Sequence, residues 1–539
     1  METLLPNTWD GNPNTRRLRL GVSKEQQSED NEDEGTLEAM RVLLIQPPYD
    51  LFDDDPRQAM PPLGLAYIAA VLERSGHEVK IIDCVAEDFD RLTPMPDGRR
   101  RHGLDGADLI RAVAAFDPRV VGVSCLFSAQ APAAHQVCAQ LKQLDTQIIT
   151  IMGGAHPSAA PESVLADPFV DYVVLGEGEQ TMLELVQALD AGCPLPNDPA
   201  GLAWRQDGVV TVRSRGVYWP ELDTLPLPAR HLLPMARYFE YRAPHGGRVK
   251  RHPCTNMITS RGCPARCSFC SIHTVWGRRY RAHSAARVIE EIEHLMTRYD
   301  VREIQFEDDN LTLHKTRFVE ICQTLIERRI DLTWTTPNGV AMWALDEQML
   351  ELMRRAGCHH IALAVESGVP RVLGQIIKKP LDLARVPSLI KACRRLGMGV
   401  SVFFVVGFPG ETKDEIRQTI DYAINLEADQ VNFFTATPYP GTELYRQCVD
   451  ERLIAMPIDY TTLRVGRPVI STPDWTSDEL AELVRAAQAR FYRRVLTRRP
   501  LHFVSLALNH FVREPVATMR KLRNTFLPRL IEAAPGPEY

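Results

Sequence analysis

The first third of the chain alternates between short apolar runs and longer amphipathic segments. The run at residues 41–46 stops at two prolines, and a helical pattern over residues 62–75 ends at Gly76. An unbroken apolar run of this length is typical of a strand buried on both faces of a parallel sheet. The predicted strands are 41–46, 79–82, 120–125, 148–152 and 172–175, and the predicted helices are 62–75, 109–116, 131–144 and 181–189. This alternation predicts an α/β fold with a doubly wound (Rossmann-like) domain over residues 40–191.

A second series of strands and helices follows a connecting segment. Residues 192–250 are rich in Pro and Gly, and we interpret them as a linker with one hairpin around Gly208. Beyond it, strands are predicted at 256–259, 303–307, 332–336, 360–365, 399–406 and 430–435, with helices between them. Six such units predict a partial (β/α)6 barrel over residues 251–455, whose active site lies at the carboxyl ends of the strands.

The two ends of the chain follow neither pattern. Residues 1–39 include seven acidic side chains between 25 and 38 with no basic residue among them, which predicts a disordered acidic tail. Residues 456–539 are predicted to be mainly helical, with one helix at 477–496. Between 485 and 529 this region holds eleven basic residues and one acid. A solvated helix face, a cap over the substrate and peripheral contact with an anionic membrane all remain open for this basic stretch.

Composition and charge narrow the class of protein. The 539 residues carry 62 basic and 69 acidic side chains, a formal net charge of −7, and 45% of them are hydrophobic. These values are ordinary for a soluble globular protein and exclude a disordered, collagen-like or disulfide-scaffold chain. A multi-span membrane chain is excluded because no stretch approaches twenty uncharged apolar residues. The slightly acidic total argues against nucleic-acid binding over the whole surface. Because the sequence shows no secretion signal and its cysteines are mostly scattered, we predict a cytoplasmic protein without a nucleic-acid partner.

One group of three cysteines is not scattered. Cys263, Cys267 and Cys270 form a C-x-x-x-C-x-x-C pattern just after the first strand of the predicted barrel. Three thiolates on a short loop can hold three irons of a 4Fe–4S cluster and leave the fourth iron open to an outside ligand. A structural zinc site is the alternative, with Cys254 or His273 as the fourth ligand. The position at the catalytic end of a barrel favours the cluster.

The cysteine loop resembles that of the radical S-adenosylmethionine (SAM) enzymes. Five further stretches at strand ends match the same family: 306–310 (FEDDN), 338–340 (NGV), 365–368 (VESG), 407–412 (GFPGET) and 437–442 (TPYPGT). The resemblance implies that SAM binds the free iron through its amino and carboxylate groups. It also implies SAM contacts from Phe269, Asn338, Glu366, Ser367 and Gly368. For Glu366, a solvated carboxylate at a strand end is the alternative interpretation.

Glycine-rich turns come directly after the strands of the predicted first domain. Gly153-Gly154 and the stretch 176–179 (GEGE) allow the backbone to approach a bulky ligand closely, and 61–65 (PPLGL) opens a helix after a long loop. Ahead of a radical SAM barrel, these stretches resemble the cobalamin-binding domain of the cobalamin-dependent (class B) radical SAM enzymes. The resemblance implies cobalamin contacts from Ser124, Gly153, Gly154, Gly176 and Glu177.

The sequence lacks the D-x-H-x-x-G loop that supplies a histidine to cobalt in other cobalamin proteins. His77 and His156 are interpreted as surface or loop histidines rather than cobalt ligands. The resemblance therefore implies base-off cobalamin with no histidine below the cobalt. Its lower face is expected to be covered by the loop between Pro47 and Leu63.

The family resemblance implies a methyltransferase that uses two SAM molecules per turnover. One SAM methylates the cobalt, and the other is cleaved to a 5′-deoxyadenosyl radical that removes hydrogen from an unactivated substrate carbon. Cyclisation or rearrangement without methyl transfer, as in a tetrapyrrole cyclase, is the main alternative. A first domain without corrinoid and a non-enzymatic sensor also remain open. The expected partners are a small-molecule substrate, either a secondary-metabolite precursor or a lipid, and a reducing protein such as flavodoxin or ferredoxin.

Overall fold

The computed structural model describes residues 39–192, 199–214, 218–246, 248–501 and 504. The described residues form one compact unit that begins at Ala39. The predicted acidic tail up to residue 38 and the basic stretch beyond residue 504 lie outside them. In the described part of the chain, no helix combines the length and the apolar character needed to cross a membrane.

The first domain is built around one large sheet. In chain order its strands are β1 (Arg41–Gln46), β2 (Tyr49–Leu51), β3 (Glu78–Asp83), β4 (Leu92–Pro94), β5 (Arg100–His102), β6 (Val120–Ser124), β7 (Ile149–Gly153), β8 (Tyr172–Val174), β9 (Leu202–Gln206) and β10 (Val209–Arg213). Its helices are α1 (Leu63–Arg74), α2 (Cys84–Glu87), α3 (Ala107–Phe116), α4 (Ala131–Leu144), α5 (Ala155–Ala159), α6 (Pro161–Leu165), α7 (Gly178–Asp190) and α8 (Met235–Tyr241).

The predicted doubly wound sheet is confirmed. Its strand order is β10-β9-β8-β7-β6-β1-β3, with parallel pairing from β3 to β8. The order reverses between β1 and β6, and ligands of such sheets bind beyond the carboxyl ends of the strands at this point. The hairpin around Gly208 is also confirmed, but its strand β9 pairs antiparallel with β8, so that β9 and β10 extend this sheet. The sheet therefore continues past the predicted boundary at residue 191.

A small second sheet in the first domain was not predicted from the sequence. Strands β2, β5 and β4 pair antiparallel in that order. They are only three residues long, and each contains polar or charged residues, so they lack the apolar run that marks a buried strand. The sheet is held by a buried ion pair instead, in which the Arg101 guanidinium donates to both carboxylate oxygens of Asp50 at 2.8 and 3.0 Å.

The second domain is the predicted partial barrel. Its strands are β11 (Cys254–Met257), β12 (Ser260–Arg261), β13 (Arg281–Ala282), β14 (Glu303–Phe306), β15 (Thr333–Thr336), β16 (Cys358–Glu366), β17 (Gly399–Val406) and β18 (Gln430–Thr435). Its helices are α9 (Ile272–Trp276), α10 (Ala285–Tyr299), α11 (Lys315–Glu327), α12 (Glu347–Arg355), α13 (Arg385–Arg395), α14 (Lys413–Asn425), α15 (Glu443–Asp450) and α16 (Ser477–Arg498). Six of these strands form one parallel sheet in the order β11-β14-β15-β16-β17-β18.

Between α15 and α16 the chain returns from the barrel to the first domain. We call residues 456–470 the return segment. The backbone N–H of Thr435, at the end of β18, donates to the carbonyl oxygen of Val465 at 2.8 Å. On its other side, the Arg464 guanidinium pairs with Asp55 at 2.6 Å and lies 5.0 Å from the ring of Phe52, both in the loop after β2. The return segment therefore spans both domains.

Candidate active site

Three half-buried cysteines lie on the loop between β12 and α9, just beyond the carboxyl end of β11. Cys263, Cys267 and Cys270 are free thiols, whereas the other described cysteines are buried. The side-chain amide of Asn310, which follows β14, lies 3.7 Å from the Cys263 sulfur. The three predicted cluster ligands therefore share one loop and remain partly accessible.

The structure places one of the two candidate fourth zinc ligands away from the three thiols. Burial raises the pKa of the Cys270 thiol to about 12, so a metal must displace its proton on binding. Cys254, one of the two candidate fourth zinc ligands, is buried at the start of β11, at the far end of that strand from the loop. Among the described residues, no group of three or more His, Cys, Asp or Glu side chains is arranged to hold a single metal ion.

Both ends of the cysteine loop are fixed by neighbouring structure. The short strands β12 and β13 pair antiparallel and close the loop at its base. The buried Asp308 carboxylate, in the FEDDN stretch, accepts hydrogen bonds from the backbone and hydroxyl of Thr259 and from the hydroxyl of Ser260. Gly262 has φ +85°, and a side chain there would collide with the Arg279 carbonyl oxygen. The loop conformation is thus set by the protein itself.

Glu366 ends β16 and is buried, with only 6% of its surface exposed. Its carboxylate pairs with the Lys379 ammonium at 2.7 Å, so the interpretation of a solvated strand-end carboxylate is wrong. The pKa of the nearby Cys267 thiol is raised, mainly by burial. The positive charge of Lys379 opposes this increase, and the negative charge of Glu366 adds to it. Glu366 has φ +69°, an uncommon conformation for a residue with a side chain, and such residues cluster at functional sites. Glu366 therefore lies beside the cysteine loop, where its prediction requires it.

The next two residues of the VESG stretch have structural partners. The Ser367 hydroxyl lies 3.0 Å from the Thr419 hydroxyl of α14 and accepts from the Val369 backbone N–H at 3.1 Å. A side chain at Gly368 would approach Tyr422 to 2.6 Å, which explains the glycine by packing. Packing and hydrogen bonding therefore explain why serine and glycine stand at positions 367 and 368 without any contact with SAM.

The remaining predicted SAM contacts surround the same strand ends. Phe269 packs edge-on against Phe408 of the GFPGET stretch, with ring centroids 5.6 Å apart. The Asn338 amide donates to the Glu307 backbone carbonyl at 2.9 Å, which ties the ends of β15 and β14 together.

The buried Glu411 carboxylate accepts from the backbone N–H groups of Gly407 and Phe408 at 2.7 and 3.1 Å. Burial raises the pKa of Glu411 to about 7.

The two glycines after β7 differ in what the structure requires of them. Gly154 has φ +115°, and a side chain there would meet the Cys125 carbonyl oxygen at 2.6 Å. Gly153 has no such restriction, because an added Cβ would make only ordinary contacts with Val174, 3.7 to 3.8 Å away. Gly153 pairs with Ser124 in the sheet. Packing therefore explains Gly154 and leaves Gly153 consistent with close approach of a ligand.

Two exposed apolar side chains mark the switch point and were missed at the sequence level. Leu126 and Phe127 follow β6 directly, and 45% and 57% of their surfaces are exposed. Two adjacent exposed apolar side chains form a small patch of the kind that a ligand or partner can cover. A run of apolar residues after a predicted strand was the available signal, but burial cannot be read from it.

The two candidate histidines occupy different places. His156, in α5, is buried, so its interpretation as a surface or loop histidine is wrong; its Nδ1 lies 3.0 Å from the Ser128 hydroxyl. Burial lowers the pKa of His156 to about 4. His77 precedes β3, at the amino end of the sheet and away from the switch point. The prediction of no histidine below cobalt is not tested by these positions.

The predicted cobalamin residues Gly176 and Glu177 turn toward the second domain. A side chain at Gly176, which has φ +70°, would lie 3.1 Å from the Val275 carbonyl oxygen of α9. The Glu177 carboxylate accepts from the Trp219 backbone N–H at 2.9 Å and pairs with the Arg281 guanidinium. The structure thus gives both residues partners in or beside the second domain.

The linker supplies a further polar pair that the sequence did not reveal. His245 Nδ1 lies 3.2 Å from the Glu307 carboxylate at the end of β14, and this hydrogen bond raises the pKa of His245. Gly246 donates its backbone N–H to the Gln305 side chain at 3.3 Å, and Gln58 of the loop before α1 donates to the His245 carbonyl oxygen at 3.3 Å. Half of the His245 side chain is exposed, and its Nε2 has no hydrogen-bond partner among the described residues.

Comparison with known proteins matches both halves of the chain to families. The B12 binding domain model matches residues 54–186, and the Radical SAM superfamily model matches residues 257–423. The chain is 36% identical over 85% of its length to the cytidylyl-2-hydroxyethylphosphonate methyltransferase of Streptomyces wedmorensis, covering 90% of that protein. It is 33% identical over 85% of its length to an uncharacterized methyltransferase of Pyrococcus horikoshii, covering 94% of it.

The chain is also similar to a cyclase and to a solved structure of a cobalamin-dependent enzyme. The anaerobic magnesium-protoporphyrin IX monomethyl ester cyclase of Rubrivivax gelatinosus is 28% identical over 84% of this chain and 77% of its own. The structure of the cobalamin-dependent S-adenosylmethionine radical enzyme OxsB, with aqua-cobalamin and S-adenosylmethionine bound, superposes with a TM-score of 0.67 at 16% identity, over 93% of this chain and 74% of that one. The chain belongs to the cobalamin-dependent radical SAM enzymes. Within them it is a methyltransferase, with a 4Fe–4S cluster, SAM and cobalamin as cofactors.

Proposed function

We propose that this methyltransferase alkylates an unactivated carbon of a small polar metabolite and consumes two SAM molecules per turnover. The observation that carries the proposal is the position of the cysteine loop. It lies at the carboxyl ends of the barrel strands, and residues on both sides of it contact the turn after β8 of the first domain. Two cofactor sites that meet at one boundary can act on one substrate between them.

Named residues have the following proposed roles. Cys263, Cys267 and Cys270 hold the cluster, and Glu366 and Asn338 contact SAM at the neighbouring strand ends, with Phe269 beside its adenine. Ser124 and Gly153 line the cobalamin site below the exposed Leu126 and Phe127. When bound, the cluster and SAM supply a carbon-centred radical and the corrinoid supplies the methyl group. The chain positions substrate between them and excludes water.

For the substrate, we propose a small molecule that carries a hydroxyl or anionic oxygen near the methylated carbon. The relative from Streptomyces wedmorensis is named for such a compound, a cytidylyl-2-hydroxyethylphosphonate. His245 supports this class, because Glu307 holds its Nδ1 and leaves Nε2 open at the barrel mouth. The hydrogen bond to Glu307 raises the pKa of His245 and so favours the imidazolium form, whose Nε2–H can donate to a substrate oxygen.

Electrons for SAM cleavage are proposed to come from a small cytoplasmic reductant such as flavodoxin or ferredoxin. The basic C-terminal stretch remains a candidate for peripheral membrane contact, and its part beyond residue 504 lies outside the described residues. A lipid substrate would make that contact relevant. Co-sedimentation of the full chain with anionic and with neutral vesicles distinguishes this use from a solvated helix face.

The test begins with the chain purified and reconstituted without oxygen, followed by assays for iron, sulfide and bound corrinoid. Incubation with trideuteromethyl-SAM, a reductant and cytidylyl-2-hydroxyethylphosphonate should give a labelled product, with S-adenosylhomocysteine and 5′-deoxyadenosine in equal amounts. 5′-Deoxyadenosine with altered but unlabelled substrate would favour cyclisation or rearrangement. Iron without corrinoid would contradict the methyl-transfer proposal.

A further inference from the structure

Four charged side chains are buried together at the boundary between the two domains. Glu177 and Glu179 stand at the start of α7 in the first domain, and Arg261 and Arg281 lie opposite each other in β12 and β13. Each of the four side chains has at most 5% of its surface exposed. We call this group the boundary network.

The contacts within the boundary network cross between the domains. Arg261 pairs with Glu179 at 2.6 Å and lies 3.6 Å from Glu177. Arg281 pairs with Glu177 and also donates to the Trp276 carbonyl oxygen at 3.1 Å. Arg281 further donates to the carbonyl oxygen of Trp219, whose own N–H donates to Glu177. The turn after β8 is thereby joined to both strands that close the cysteine loop.

Aromatic rings enclose the two guanidinium groups. Arg261 lies 5.2 Å from the ring of Tyr67 in α1 and 4.8 Å from the ring of Trp276 in α9, and Arg281 lies 5.0 Å from the ring of Tyr218. A planar cation between rings has few orientations available to it. The network therefore restricts direction as well as distance.

Stability alone does not account for this construction. Buried ion pairs gain little over apolar side chains of similar volume, because desolvation offsets most of the attraction. Here the charges flank the cysteine loop, with Arg261 two residues before Cys263 and Arg281 just beyond α9. Of their acidic partners, Glu177 immediately precedes α7 and Glu179 lies in its first turn. Both follow closely after the predicted cobalamin residue Gly176.

We propose that Glu177 and Glu179 are positioning residues that fix the separation and orientation of the cluster site relative to the cobalamin site. This proposal rests on the proposed function. Radical transfer to a methyl donor requires the reacting atoms to be held within a short range, and a misplacement of about 1 Å can lower a rate about a hundredfold. Loosening the network should therefore uncouple SAM cleavage from methyl transfer before it impairs either cofactor site.

The test compares Glu179→Gln with Glu291→Gln in the reconstituted holoenzyme. Glu291, in α10, forms an equally buried pair with Arg230 at 2.6 Å; neither residue lies in the cysteine loop or in the strands that close it, and Glu291 serves as the matched control. The magnetic interaction between cob(II)alamin and the reduced cluster is measured by EPR, together with the ratio of 5′-deoxyadenosine to labelled product. For Glu179→Gln we expect wild-type iron and corrinoid, a weakened and broadened interaction, and a ratio raised about tenfold. For Glu291→Gln we expect wild-type values of both.

A purely structural role predicts the opposite pattern, in which Glu179→Gln lowers the melting temperature as Glu291→Gln does but leaves the EPR interaction and the product ratio unchanged. If Glu179→Gln does not fold, Arg281→Lys keeps the charge, removes the forked geometry and takes its place in the same assays.

Hydrogen–deuterium exchange of residues 262–280 in the cofactor-free chain gives a separate readout. Faster exchange in Glu179→Gln and not in Glu291→Gln is expected, and equal exchange would overturn the proposal. A wild-type chain that binds no corrinoid contradicts the proposed function, and the exchange result still decides the positioning role.

Discussion

The two regions assigned to cofactors are built from different kinds of contact. The cysteine loop is held at both ends by charged and hydrogen-bonded groups, among them Asp308 and the boundary network. The edge of the first sheet that we propose for cobalamin instead presents exposed apolar side chains, Leu126 and Phe127. A loop that must direct a reactive group is fixed by the chain before the cofactor arrives. An edge that binds a broad macrocycle leaves apolar surface for the ligand to cover.

The largest expected effect comes from removing cluster ligands. Cys263→Ala, Cys267→Ala or Cys270→Ala should abolish 5′-deoxyadenosine formation, because an incomplete thiolate set does not hold the cluster. Iron content and the EPR signal of the reduced protein measure this. Cys138→Ala, at a buried cysteine in α4, is the control and should retain both. A cluster that survives in all three variants would contradict the assignment.

The second-largest effect is expected from Glu411, the buried carboxylate that binds the loop after β17, and concerns the pH dependence of folding stability. The pKa of Glu411 is about 7 in the folded chain, above its ordinary value, so the folded chain binds the proton more tightly. Stability should fall as pH rises from about 4.5 to about 7 and level off above that, by up to about 3 kcal/mol from this group. Glu411→Gln should remove this part of the pH dependence. Denaturant unfolding of both chains between pH 5 and pH 8 tests it, and parallel curves would contradict it.

The apolar edge should respond to loss of apolar surface alone. Phe127→Ser removes a side chain whose burial under a ligand is worth about 2 kcal/mol, so cobalamin affinity should fall about thirtyfold. The iron–sulfur cluster should be unaffected, since its loop is held by charged and hydrogen-bonded groups rather than by apolar surface. Val209→Ser, at a position with 64% exposure on the β10 hairpin, is the control and should bind cobalamin normally. Equal affinities for the two variants would remove Leu126 and Phe127 from the cobalamin site.

The smallest effect is expected at the linker. His245→Gln should raise KM for cytidylyl-2-hydroxyethylphosphonate about tenfold while iron and corrinoid stay at wild-type levels, because a charge-assisted hydrogen bond to a substrate oxygen is lost. His231→Gln removes a similar exposed pair, with Glu73 at 3.0 Å, and should leave KM unchanged. A changed corrinoid content in His245→Gln would instead place this residue in the cofactor site.

Much of this architecture can be predicted from the sequence, for identifiable reasons. Apolar runs predicted the parallel strands of both sheets, since such strands are covered on both faces. The spacing of Cys263, Cys267 and Cys270 carried the cluster prediction, because ligands on one loop are close in sequence as well as in space. Strands β2, β4 and β5 were missed, since three residues of mixed polarity carry no apolar pattern.

Contacts between distant parts of the chain could not be predicted. The GEGE stretch indicated a turn after a strand, but the pairing of Glu177 and Glu179 with arginines about eighty to one hundred residues later depends on how the domains meet. His245 looked like part of a linker for the same reason. The burial of Glu366 and His156 likewise follows from elements that no local pattern connects.

The return segment has a consequence for motion. Within the described residues, the chain crosses between the domains twice, once through the linker after β10 and once through residues 456–470, which contact Asp55 and Phe52. A single crossing allows one domain to swing about a hinge, whereas two separated attachments oppose that rotation. Substrate entry is therefore expected to depend on small displacements of loops rather than on opening of the whole boundary. Such an enzyme is expected to keep its two cofactor sites aligned during turnover.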